Sequence, residues 1–415
     1  MSQPAAAHQS FAALRNPGFR MYFVGTALSM LADNIEHVIS YWVIFRKFHS
    51  EALGGFAVVS HWLPFLLFSI YAGSLAERFD PRRIIQIGMV LFMGVSLCWG
   101  VLFATDSLQM WHAWVLLIIH GIAGVLWNPP AQLLLHDIVG SKDLQSAVRL
   151  GATARYLGML TGPAVGSAIL LALGPAHGIF VNAVIYLPMT LWLWKAPYGP
   201  RFRKDAARPV RALKGLRDIA DTFRSIRQNP TLLGMTLLAG AAAFFIGNAY
   251  QAQMPEFAEH LGHGTPGITY GMLLAADAAG ALTGGFVLES RGVLRASPRT
   301  ACILAMLWCC ALGGFALSNS YPLALALLFV AGFVELSFNS MAQALVQITA
   351  PAEIRGRAIG VFAMAAQGMR TFSGISVGLV GGLIGIHWSL ALSAILLFAV
   401  ISVLVASSMR TAPAS

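Results

Sequence analysis

Twelve stretches of the chain are almost continuously apolar over roughly 20 residues or more, the length a helix needs to cross a hydrocarbon core of about 30 Å. Their limits fall near 18–45, 52–76, 83–105, 109–135, 146–172, 177–196, 231–255, 266–288, 299–318, 321–348, 357–384 and 387–409. Strands of a membrane barrel would instead alternate over about ten residues, and these stretches do not. The long polar stretch, 197–229, follows the sixth segment and divides the chain six plus six. The pattern predicts an all-α membrane protein with twelve transmembrane helices in two pseudo-symmetric six-helix bundles. The N-terminal bundle covers 1–196, a basic cytoplasmic linker covers 197–230 and the C-terminal bundle covers 231–415. In the linker, Leu213, Leu216, Ile219, Phe223 and Ile226 recur at helical spacing, which predicts an amphipathic helix along the membrane surface. Met1 to Arg15 lack the charged start, apolar stretch and cleavage site of a signal peptide, so the first span is expected to be retained.

Composition agrees. Of 415 residues, 57% are hydrophobic and 11% charged, against about 25% charged in soluble domains. Such a chain cannot hide its apolar surface from water, which argues against a soluble enzyme. The net charge of +10 would raise nucleic acid as a partner, but its location decides otherwise. If the N-terminus is cytoplasmic, 23 of the 27 Lys and Arg fall on that side, while Arg46 and Lys47 fall opposite and Arg155 and Arg370 lie within spans. The excess is the positive-inside signal of a multi-pass protein of a bacterial-type inner membrane with both termini cytoplasmic. Cys98, Cys302, Cys309 and Cys310 sit in apolar runs without paired spacing and read as packing residues.

The halves echo one another. Gly73-Ser-Leu-Ala-Glu77-Arg78-Phe-Asp80-Pro-Arg82-Arg83 follows the second span, and Gly285-Phe-Val-Leu-Glu289-Ser-Arg291 follows the eighth, 212 positions on. Arg155 and Arg370 recur 215 positions apart, each early in the fifth span of its half. A duplicated six-helix unit explains both offsets, and parallel repeats of this kind place a substrate site between the halves near the midplane. The small glycine permits close helix approach, and an acid followed by arginines suits an ion-pair latch at a helix end.

The 73–83 segment resembles the loop signature of the major facilitator superfamily, with Gly73, Glu77, Arg78, Arg82 and Arg83 matching and Asp80 replacing a glycine. Gly158-Met-Leu-Thr-Gly162-Pro163-Ala-Val-Gly166 resembles the superfamily's antiporter signature. Its glycines form a smooth packing stripe, and Pro163 weakens the helix, as suits a pivot. Pro351-Ala-Glu353-Ile-Arg355-Gly356-Arg357, Asn16-Pro-Gly-Phe-Arg20 and Leu63-Pro64 resemble the branch that includes the enterobactin exporter and related drug exporters. The resemblance implies alternating access and export of a siderophore or amphipathic drug-like molecule in exchange for protons.

An ionisable group at membrane depth costs a few kcal/mol and normally faces a cavity or a partner. Asp33, Glu36 and His37 share one face of the first span, with Asp33 about 20 Å into the membrane by helical rise. With Asp277 and Glu335, mid-span in the second half, they are the proton-coupling candidates. Arg370, Arg155, Asn34, Asn248, Gln251, Asn339 and Gln367 are the candidates for lining a substrate cavity. His61 and His120 each stand alone on an apolar helix and read as hydrogen-bonded structural groups. There is no phosphate-binding Gly-rich loop for ATP and no metal or catalytic motif, so no cofactor is expected beyond the proton gradient. The expected partners are a small-molecule substrate and the bilayer, for a monomer with no nucleic acid. An uptake carrier for a nutrient or metal chelate, or a lysophospholipid transporter, is the alternative on the same fold.

Overall fold

A computed structural model describes residues 10–49, 51–202, 216–247, 249–261, 266–291, 296–373 and 380–410. Those residues are almost all helical, and no strand occurs among them. The N-terminal half holds α1 (Pro17–Phe48), α2 (Glu51–Arg78), α3 (Pro81–Ala104), α4 (Met110–Val139), α5 (Leu144–Ile185) and α6 (Leu187–Lys195). After the linker helix α7 (Leu216–Gln228) come α8 (Pro230–Phe245), α9 (Ala249–Ala252), α10 (Met254–His260), α11 (Pro266–Arg291), α12 (Pro298–Ala316) and α13 (Tyr321–Thr349). The chain ends in α14 (Arg355–Ala363), a π-helical turn (Met364–Gly368), α15 (Arg370–Ser373), α16 (Val380–Ile384) and α17 (Ile386–Arg410).

Nine helical runs among the described residues are long and apolar enough to cross a membrane. One of them, 144–202, is two spans. Gly174 leaves helical geometry at φ 73°, and a Cβ on Gly178 would lie 2.8 Å from Ile169 Cγ2, so the chain doubles back there. At 32 residues, α1 is also long enough to span, at about 1.5 Å per residue. The seventh predicted span, 231–255, is the interrupted series α8, α9 and α10, with Gly247 at φ 52° in the first break. The eleventh, 357–384, is interrupted by the π-helical turn, and its residues 374–379 lie outside the described residues.

Two large cores hold the helices together. Trp99, Phe92, Tyr186 and Phe19 are buried among the first six helices, and Trp308, Phe315, Phe338 and Phe257 among the later ones. Apolar side chains such as Leu171 (87% exposed) and Leu383 (85%) cover the outside, as lipid permits. Of the linker, residues 203–215, including Leu213, lie outside the described residues. In α7, Ile226 is buried against the C-terminal core, while Asp221 and Arg224 pair at 2.8 Å on an exposed face.

Glycines set two close crossings that matter for the site. A Cβ on Gly121 would lie 2.1 Å from the carbonyl oxygen of Ser60, so α4 touches the α2 backbone beside His61 and His120. A Cβ on Gly332 would lie 1.9 Å from the carbonyl oxygen of Asp277, so α13 touches α11 beside Glu335. The two crossings occupy equivalent places in the two halves.

Candidate functional site

A cavity of about 550 Å³ lies between the halves. Asp33, Asn34 and His37 reach it from α1, Arg155 from α5, Gln251 from α9, Glu335 and Asn339 from α13, Gln367 from the π-helical turn and Arg370 from α15. Asn248 lies outside the described residues. His61 and Trp62 of α2 also line it.

On the N-terminal wall, His120 sits between two carboxylates. Its Nε2 is 2.9 Å from Asp33 Oδ1 and its Nδ1 is 2.8 Å from Glu36 Oε1. All three residues are at least 95% buried, at relative exposures of 5% for Asp33, 2% for Glu36 and 3% for His120. Ser96 donates to Glu36 Oε2, and Asn182 Nδ2 donates to Ser96 Oγ at 3.2 Å. His37 Nδ1 lies 3.7 Å from Asp33 Oδ2. Where both acids are ionised, each accepts from the ring and the imidazole carries a proton on each nitrogen; where one acid is protonated, it donates to the ring instead. The arrangement is a buried cluster of titratable groups, with Asp33 and His37 at the cavity and Glu36 behind them.

The C-terminal wall has a second acid cluster. The Tyr250 hydroxyl lies 3.2 Å from Asp277 Oδ2 and 3.3 Å from Glu335 Oε2, and Gln251 Nε2 donates to Asp277 Oδ2 at 3.2 Å. One hydroxyl carries one proton, so satisfying both contacts needs a further proton on an acid. Arg370 does not join this hydrogen-bonded group. Its guanidinium stacks over the Trp62 ring of the opposite half at 5.0 Å, and its Nε is buried without a hydrogen-bond partner. Arg155 Nη2 donates to Gln343 Oε1 at 3.4 Å.

The halves are joined at the face that carries the basic loops. Glu77 Oε1 accepts from the Arg357 backbone N–H at 2.7 Å, and Oε2 accepts from Arg357 Nε at 2.9 Å. Gly73 and Gly356 make room for this pair: a Cβ on Gly73 would lie 2.1 Å from the Gly356 carbonyl oxygen. Glu289 is the counterpart. Ser146 donates to it, Arg149 Nη1 lies 3.9 Å from its Oε2, and Arg149 also donates to the Leu288 carbonyl at 3.0 Å. Gly285 packs on Thr153, with a Cβ there 2.2 Å from Oγ1. Closer to the cavity, Gln347 Nε2 donates to Gln132 Oε1 at 3.3 Å.

The other loop residues have separate tasks. Arg78 is exposed and stacks over Phe79 at 4.9 Å, and Arg291 is exposed. Asp80 caps α3 by accepting from the Arg82 backbone N–H at 3.1 Å and pairs with the Arg82 guanidinium at 2.5 Å. Arg83 donates to Gln86 at 2.8 Å. Away from the spans, Lys47 bonds Asp106 at 2.6 Å and holds that carboxyl below the usual range. Gly158, Gly162, Pro163 and Gly166 belong to α5, and the three glycines face α1: a Cβ on Gly162 would lie 2.4 Å from Asn34 Cβ.

A family model described as a transmembrane secretion effector, within the major facilitator superfamily, matches residues 8–415. The chain belongs to this superfamily. It is a multi-pass membrane transporter of small molecules, not an enzyme. A transporter of this superfamily from Bacillus subtilis (YfiS, uncharacterized) is 23% identical over 89% of this chain and 87% of its own length. The staphyloferrin A transporter of Staphylococcus aureus is 21% identical over 65% of this chain and 66% of its own. Multidrug and macrolide efflux proteins are further relatives. The crystal structure of the human organic anion transporter MFSD10 superposes with a TM-score of 0.74 over 94% of this chain and 99% of that one, at 14% identity, which shows the shared fold.

Sequence reasoning put Asp33, Glu36 and His37 on one helix face but missed that His120 bridges the two acids and that His61 stands beside them. The available signal was weak: Gly121 directly follows His120, and a glycine beside a mid-span polar residue marks a close crossing.

Proposed function

We propose that this transporter exports a siderophore or amphipathic drug-like molecule in exchange for protons, working as a monomer in a bacterial inner membrane with both termini cytoplasmic. The observation that carries this reading is His120 held between Asp33 and Glu36 at the wall of a cavity shared by the two halves. Such a group passes a proton between cavity and protein interior without an unpaired buried charge at either stage. In the superfamily's alternating-access scheme, the Glu77–Arg357 and Glu289–Arg149 contacts hold the cytoplasmic side shut. Substrate leaves on the opposite side, protons replace it, and the return to the inward state releases them. Arg370 and the amides Asn34, Asn339 and Gln367 offer the polar contacts for a substrate with anionic groups, and Trp62 and Tyr156 offer flat apolar ones. The siderophore and drug-efflux relatives support this substrate range.

The test is proton flux in everted vesicles. After respiration acidifies the lumen, adding an iron-free hydroxycarboxylate siderophore or an amphipathic drug should release protons only from vesicles carrying the protein. Substrate accumulation that instead dissipates a gradient in right-side-out cells would assign the protein to uptake.

A further inference from the structure

We propose that His37, His61 and His120 form a binding site for a divalent first-row transition-metal ion of the zinc class, on the N-terminal wall of the cavity. Three helices bring these imidazoles to one place. One ligand-capable atom from each lies within 4.8 Å of the others. Ring centroids are 5.0 Å apart for His37 and His61, 4.9 Å for His37 and His120, and 5.7 Å for His61 and His120.

Two nitrogens are ready to serve. His37 Nε2 and His61 Nδ1 are buried and have no hydrogen-bond partner. Buried polar atoms are normally paired, so two such nitrogens side by side at a cavity point to a ligand that both can bind. An imidazole nitrogen lone pair suits zinc and its neighbours in the first row. The supporting groups fit as well. Asp33 faces Nδ1 of His37 at 3.7 Å, and Glu36 faces Nδ1 of His120 at 2.8 Å. A carboxylate on the far nitrogen orients a metal-binding histidine and raises its basicity.

His120 Nε2 becomes a ligand when it gives up Asp33 and loses its proton to the cavity. The freed Asp33 carboxylate then completes a set of three nitrogens and one oxygen, which zinc takes as a tetrahedron with bonds of about 2.0–2.1 Å. Asp33 and Glu36 supply the negative charge that a divalent ion needs. The cation on the opposite half, Arg370, is stacked on the Trp62 ring at 5.0 Å, and the centroid of that ring lies 4.5 Å from that of His61. Metal and proton therefore compete for one nitrogen of His120. The site shares Asp33 and His120 with the proposed proton path but rests on the cavity geometry alone.

The experiment is zinc titration of the purified full-length protein, prepared with a histidine-free affinity tag and monitored by calorimetry, with the cobalt(II) visible spectrum as second readout. An exposed pair elsewhere, His260 and His387 at 3.0 Å, is disabled by His260→Ala in every sample. The expected result is one zinc per chain, with affinity weakened in both His61→Ala and His37→Gln by at least the roughly 10- to 100-fold that loss of an outer-shell partner costs, since each removes a ligand. Thermal unfolding and monodispersity, unchanged in either variant, establish that the fold is kept. No stoichiometric binding, or binding in both variants as strong as with the three histidines intact, overturns the proposal. Because no transport is measured, failure here leaves proton exchange standing, and failure of proton exchange leaves the metal site standing.

Discussion

With a carboxylate at each ring nitrogen, His120 completes its hydrogen bonds only by keeping two protons between Asp33 and Glu36. Removing the ring strands two buried acids. His120→Ala should therefore lower stability by about 3–5 kcal/mol, the range for breaking a buried ionic contact, seen as a reduced unfolding midpoint in detergent. Asp33→Asn is gentler, because the amide still hydrogen-bonds the ring. It should preserve the fold and abolish substrate-driven proton flux; full flux with unchanged pH dependence would remove Asp33 from the mechanism. The acid side of this group was legible in the sequence, since Asp33, Glu36 and His37 share one helix face. The base side was not. His61 and His120 belong to different helices, and nothing along one sequence says that those helices meet at Gly121.

At the scale of helices, the contact between the end of α2 and the start of α14 explains why the loop motif carries its particular residues. Gly73 and Gly356 allow backbone to touch backbone, and Glu77 then binds both the N–H and the guanidinium of Arg357. Gly73→Val cannot be accommodated without separating the helices, and transport should be lost while membrane insertion is retained, as read by flux at matched expression. Glu77→Ala should slow the cycle severalfold. Arg78→Ala, at an exposed side chain that does not touch the latch, should leave the rate nearly unchanged. If Arg78→Ala slowed transport as much as Glu77→Ala, the latch would have to include Arg78. Among the described residues, the segment pattern matched the helix limits to within about five residues. It placed the break around Gly174 but missed the one at Gly247 and the π-helical turn, because average hydropathy does not record a single positive φ or one extra residue in a turn.

For the whole molecule, the duplicated plan places two latches about a pseudo-symmetry axis and two acid clusters on facing cavity walls. Glu77→Gln combined with Glu289→Gln should weaken both latches and shift the population toward opening at the basic face. An Asn339→Cys probe in a background lacking Cys98, Cys302, Cys309 and Cys310 should then be labelled faster by an impermeant thiol reagent added from that face. Unaltered labelling would mean that the backbone contacts, not the acids, hold this side shut. Sequence echoes revealed the duplication. They could not reveal that the partner of each acid comes from the other half, since an ion pair 280 residues apart leaves no local trace.

The two latches are unequal. Glu77 grips its arginine by backbone and side chain within 2.9 Å, whereas Glu289 and Arg149 stand 3.9 Å apart and lean on Ser146 and Leu288. A door fastened tightly on one edge and loosely on the other swings as a wedge. Unsealing should begin along α5 and α11, so that water and solute first enter through a slanted crevice on that flank while the opposite edge still serves as the hinge.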